Sequence, residues 1–132
     1  MTRPPLGAVL GAFAVDAVLV VIFAAIGRRS HAEGVDVAGV WQTAWPFLAG
    51  LLLGWLLAFG WRRPVRVWPT GVVIWVATLA GGMVLRAASG QGVQLAFVLV
   101  AAAVLALFLI GWRAIAALVL RARRRAATQS AP

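Results

Sequence analysis

Residues 6–26 read LGAVLGAFAVDAVLVVIFAAI, an apolar run broken by a single charged residue, Asp16. A helix needs about 20 apolar residues to cross the hydrocarbon core of a bilayer, so this run is a spanning segment. Three more runs of matching length follow, at about 42–60, 67–86 and 93–113, the last staying apolar to Leu120 but for Arg113. None alternates polar and apolar positions, and lipid leaves open sheet edges unsatisfied, so strands are excluded. The fold class expected is all-α: a polytopic membrane protein, a four-transmembrane-helix bundle over residues 1–120. Residues 121–132 form a basic tail, read as disordered.

Composition agrees. Of 132 residues, 64% are hydrophobic and 11% charged, whereas an ordinary soluble domain carries about 25% charge. The net charge is +9, all of it from arginine. Because the arginines stand at the ends of apolar runs, they read as topology signals and anionic-lipid contacts, and nucleic acid is not expected as a partner. With both termini cytoplasmic, Arg3, Arg62, Arg63, Arg66, Arg121, Arg123, Arg124 and Arg125 lie inside and only Arg28, Arg29 and Arg86 outside. That orientation obeys the positive-inside rule, and the location expected is the cell membrane of a prokaryote.

Trp41, Trp61, Trp68 and Trp112 fall at the expected span ends, where an indole sits well at the membrane–water interface. Trp55 and Trp75 fall nearer the middle and read as packing residues. Gly7 with Gly11, Gly50 with Gly54, and Ala77 with Gly81 are spaced by four, as in close helix–helix contacts. Pro46 and Pro69 suit first-turn positions of the second and third spans.

The chain offers little chemistry. With no cysteine, one histidine (His31) and three acids (Asp16, Glu33, Asp36), it supports no metal site and no cofactor. A catalytic role for His31 and Glu33 lacks a nucleophile stronger than Ser30, and no enzyme is expected.

Asp16 is the most informative residue. An ionised carboxylate at mid-bilayer costs about 3 kcal/mol on insertion scales, so it should face the bundle. It reads either as a proton, cation or polar-ligand site, or as a structural carboxylate bonded to Thr78, a tryptophan N–H or Arg86; Asp16, Thr78 and Arg86 define the candidate intramembrane polar site. Arg86 either reaches inward or snorkels to headgroups. Arg113 reads as an interface anchor among the inner lipid contacts Arg62, Arg63, Arg66, Arg121, Arg123, Arg124 and Arg125. Arg28, Arg29, His31 and Glu33 form a candidate outer site for an anion or headgroup.

Several landmarks together carry a resemblance: Asp16, the run Gly27-Arg28-Arg29-Ser30-His31, Trp45-Pro46-Phe47, Pro69 and Gly71 before Trp75, Arg86, and Gly111-Trp112-Arg113. In these the chain resembles a family of small four-span prokaryotic membrane proteins catalogued only as a domain of unknown function. The resemblance implies a membrane location and carries over no activity. Two functions compete: a handler of a small solute, ion or lipid headgroup using Asp16, and an accessory subunit of a larger membrane complex. The expected partners are the bilayer with its anionic lipids, with room for a second copy of the chain or another membrane protein.

Overall fold

In the computed structural model, which describes residues 3–30 and 35–130, each apolar run folds as a helix. Helix α1 spans Leu6–Ser30 and α2 spans Val37–Ala58. A wide turn at Val67–Gly71 leads into α3, Val72–Ala88. The last rod is α4, Leu95–Leu105, a second wide turn at Ala106–Ile110, and α5, Gly111–Ser130. Four helices, Leu6–Arg29, Val37–Ala58, Val67–Ala88 and Leu95–Gln129, are long and apolar enough to cross a membrane. His31 and Glu33 lie outside the described residues.

Local chemistry sets the helix ends. Arg28 and Arg29 sit in the last turn of α1, where cations complement the helix dipole. The Asp36 carboxylate accepts the Gly39 N–H at 3.1 Å and caps α2. This cap starts α2 earlier than the apolar run does, so Pro46 lies inside the helix rather than in its first turn. Proline has no N–H to offer the Gln42 carbonyl one turn back. The Gln91 side-chain amide donates to that carbonyl at 3.2 Å instead, tying the α3–α4 turn to α2.

The most extensive contact is α2 on α3. A Cβ on Gly50 would stand 2.9 Å from the Ala77 and Thr78 carbonyls, and one on Gly81 would stand 3.1 Å from the Gly50 Cα. Two of the small-residue pairs therefore meet each other. The third, Gly7 with Gly11, has nothing within 4 Å and faces outward, so it joins no helices among the described residues.

Phe23, Phe47 and Phe97 cluster near one end of the core, with Phe23 and Phe47 edge to face at 5.1 Å. Val20, Leu51, Ile74, Leu105 and Leu109 fill the interior.

The tail read as disordered continues α5 to Ser130. Alanine and arginine, which dominate residues 121–127, are both strong helix formers. At 35 residues, the last rod is about 50 Å long and outruns a bilayer's apolar core.

Candidate functional site

On α1 the buried residues Ala12, Asp16, Val20 and Ala24 are spaced by four. On the last rod the buried residues Ala101, Leu105, Leu109 and Arg113 are spaced the same way. Residues four apart drift by about 40° per step around a regular α-helix. The wide turn, in which the Gly111 N–H bonds back five residues to the Ala106 carbonyl, recovers part of that drift. Arg113 thus stays on the buried face and meets Asp16.

The two side chains are fully buried and form a bidentate ion pair. Arg113 Nη1 donates to Asp16 Oδ1 at 2.8 Å, and Nη2 donates to Oδ2 at 2.7 Å. Trp112 Nε1 donates to Oδ1 and Trp55 Nε1 to Oδ2, each at 2.8 Å. A carboxylate has about four lone-pair sites, so this one is saturated. Arg113 also donates from Nε to the Pro64 carbonyl and from Nη1 to the Leu109 carbonyl, both at 2.9 Å. Its guanidinium carbon lies 4.8 Å from the Trp112 ring centroid. Gly71 makes room, since a Cβ there would stand 2.9 Å from Arg113 Cδ. The cluster joins α1, α2, the α2–α3 connection and α5 through charge-assisted bonds.

Several expected placements change. Arg113 is no interface anchor: it is fully buried, and its head replaces water with carboxylate and carbonyl oxygens. Trp112, expected at an interface, bonds the same carboxylate. Thr78 is buried, but among the described residues its hydroxyl has no hydrogen-bond partner, so it does not serve Asp16. Arg86 neither reaches Asp16 nor snorkels straight outward. It folds onto the α3–α4 turn, donating to the Gly92 carbonyl at 2.9 and 3.1 Å and to Gln91 Oε1 at 3.0 Å, with Phe97 4.4 Å beneath it. The expected tryptophan donor is present as Trp55. Trp75 instead donates to the Ala102 carbonyl at 3.0 Å.

Arg86 and Arg28 line one cavity of about 370 Å³, walled by Phe23 and Phe97 and edged by Thr43 and Gln94. Arg28 donates to the Thr43 hydroxyl at 3.4 Å, and its guanidinium also lies beside Gly39 and the Asp36 cap. Arg29 is exposed nearby on the chain. At the other end of the bundle, Arg3, Arg62, Arg63, Arg66, Arg121 and Arg124 line two further concavities.

Sequence reasoning picked out Asp16 by its cost and missed Arg113 as its partner. The available signal was the shared spacing of four. A tryptophan adjoining that arginine was a second one.

The model of a protein family described as a protein of unknown function (DUF3054) matches residues 13–116, which include every side chain of the Asp16 cluster. Nothing matches the chain among curated proteins or among solved structures. The family match covers most of the chain, and the protein belongs to the DUF3054 family.

Proposed function

We propose that this is a membrane-embedded protein that binds a phosphate- or carboxylate-bearing group in the cavity lined by Arg28 and Arg86. The membrane reading draws on large aliphatic side chains exposed on every helix, among them Leu10, Leu56, Val84, Leu99 and Leu107. Apolar surface on that scale is not tolerated in water. The arginine asymmetry between the two ends favours a cytoplasmic Arg62–Arg66 end.

The observation that carries the anion reading is convergence. Guanidinium groups from α1 and α3 meet at one cavity with an aromatic wall and a hydroxyl at its edge. Guanidinium forks suit planar anionic groups, and apolar walls strengthen the attraction by excluding water. Asp16 holds no open coordination position and serves this role indirectly, as the lock that sets the helices.

Native mass spectrometry of protein gently extracted from its own membrane tests the reading. A stoichiometric anionic molecule should be retained, and Arg28→Gln or Arg86→Gln should remove it. Bulk lipid alone, indifferent to both substitutions, would sink the proposal.

The outward Gly7–Gly11 face favours a second reading, an accessory subunit packed against another membrane protein along α1. A second protein recovered in fixed ratio in the same extraction, and lost on Gly11→Leu, would support it. Recovery of only this chain, across several mild extractions, would count against it.

A further inference from the structure

The cavity between Arg28 and Arg86 has an apolar neighbour on the flank of the bundle. A groove of about 420 Å³ runs between α1 and α2, lined by Val21, Val35, Val37, Val40, Trp41 and Ala44. Val21, Val35, Val37 and Trp41 are exposed along it, and Ala44 is buried at its base.

The groove and the cavity meet at Arg28. Val21 and Arg28 are nearly two full turns apart on α1, so they stand on almost the same face, about 10 Å apart along the axis. On α2, Val40 and Ala44 line the groove, while Thr43, between them in sequence, lines the cavity. The Arg28 guanidinium and the Asp36 carboxylate both crowd the place where a Gly39 Cβ would stand. Arg28 lines the cavity and Asp36 heads the groove, so one begins where the other ends. The Asp36 charge is offset by the α2 N-terminus that it caps and by Arg28 beside it.

Polarity along this path runs one way. Arg28 and Arg86 lie in the last turns of α1 and α3, at one end of the bundle. From that end the groove leads toward the middle of α1. Below Asp36 its lining side chains are valine, alanine and one tryptophan. A bilayer lipid has the same layout, with a charged head at the interface and a chain in the hydrocarbon.

We propose that the molecule held at the Arg28–Arg86 site is a phospholipid, its phosphate in the cavity and one acyl chain in the groove along Val21 and Trp41. The inference rests on the anion reading above and names the class of molecule that carries the anion. Guanidinium forks match phosphate oxygens, and the groove adds the burial of a hydrocarbon chain. A soluble phosphate shares the head chemistry and leaves the groove uncovered.

The test is a titration of the full chain in mild detergent, read by native mass spectrometry. Three probes divide head from chain: a long-chain phosphatidic acid, glycerol 3-phosphate with the same head and no chains, and the matching diacylglycerol with the same chains and no phosphate. The phosphatidic acid should bind one to one and about tenfold tighter than either of the others, since each buried methylene adds to affinity. Arg86→Gln should weaken the lipid and glycerol 3-phosphate alike. Val40→Trp and Val21→Trp fill the groove from a half-buried and an exposed position. Each should weaken the lipid several-fold and leave glycerol 3-phosphate binding unchanged, and an unchanged thermal midpoint checks that the variants fold.

Glycerol 3-phosphate bound as tightly as the lipid overturns the lipid assignment and leaves the anion site standing, with a soluble occupant. Lipid binding that needs Arg86 but is indifferent to both groove variants overturns it too. Binding of both phosphate probes that ignores Arg28→Gln and Arg86→Gln defeats the anion reading itself, and the lipid assignment with it.

Discussion

Asp16 and Arg113 are costly residues in an apolar bundle, and each is tolerable only because the other is there. Removing one member of a buried pair leaves an uncompensated charge or an unsatisfied fork, at about 3–5 kcal/mol. Asp16→Ala and Arg113→Ala should each lower the thermal midpoint sharply in detergent, followed by tryptophan fluorescence. The double variant Asp16→Leu with Arg113→Met should recover much of the loss, because it removes both charges and keeps volume. If the double variant proves as unstable as the sum of the two singles, the pair is not acting as a unit. Trp55→Phe deletes one donor to a buried carboxylate oxygen and should cost about 1–3 kcal/mol. Asp16 was conspicuous in the sequence because any mid-span acid needs a reason. Arg113 was not, because an arginine near the end of an apolar run is ordinarily an anchor, and only its packing against Asp16, the Pro64 carbonyl and Gly71 makes it interior.

At the scale of helices, the α2–α3 contact depends on the absence of side chains. A Cβ at Gly50 meets backbone carbonyls of α3 at 2.9 Å, and backbone cannot swing aside as a flexible side chain can. Gly50→Ala should therefore destabilise by about 1–3 kcal/mol, as overpacking does. Gly11→Ala, at a position with open space, should be neutral or slightly stabilising, since alanine is the better helix former. Equal midpoints for the two variants would refute this packing. Spacing marked Gly50 with Gly54 and Ala77 with Gly81 as close-approach pairs. It marked Gly7 with Gly11 equally well, and those face outward. A four-residue spacing records that a face is small and says nothing about what stands opposite.

The whole molecule is a bundle with a locked middle and two basic ends of different character. One end holds an aromatic-walled cavity between Arg28 and Arg86, and the other two adjoining arginine-lined concavities. The orientation read from arginine asymmetry can be tested cleanly because the chain has no cysteine. A single Ser89→Cys variant should react with a membrane-impermeant maleimide on intact cells, and a single Thr128→Cys variant only after lysis. The reverse pattern would invert the topology.

By itself, the sequence determined the number and apolar character of the membrane-length helices, though not where α2 starts or how far the last rod runs. That number and character follow from hydropathy summed along contiguous residues, as does the suspicion attached to Asp16. Only the tertiary structure decided which cation answers that acid. Residues 16 and 113 are far apart in the chain, and they meet through a wide turn at Ala106–Ile110, an indole from α2 and a proline carbonyl between α2 and α3. The same holds for the larger concavity at the arginine-rich end, which three separated segments build together. Burial of one residue against lipid-like surroundings is a local property and can be read in order along the chain. Satisfaction of a buried charge is a non-local one, because its donors come from wherever the packing brings them.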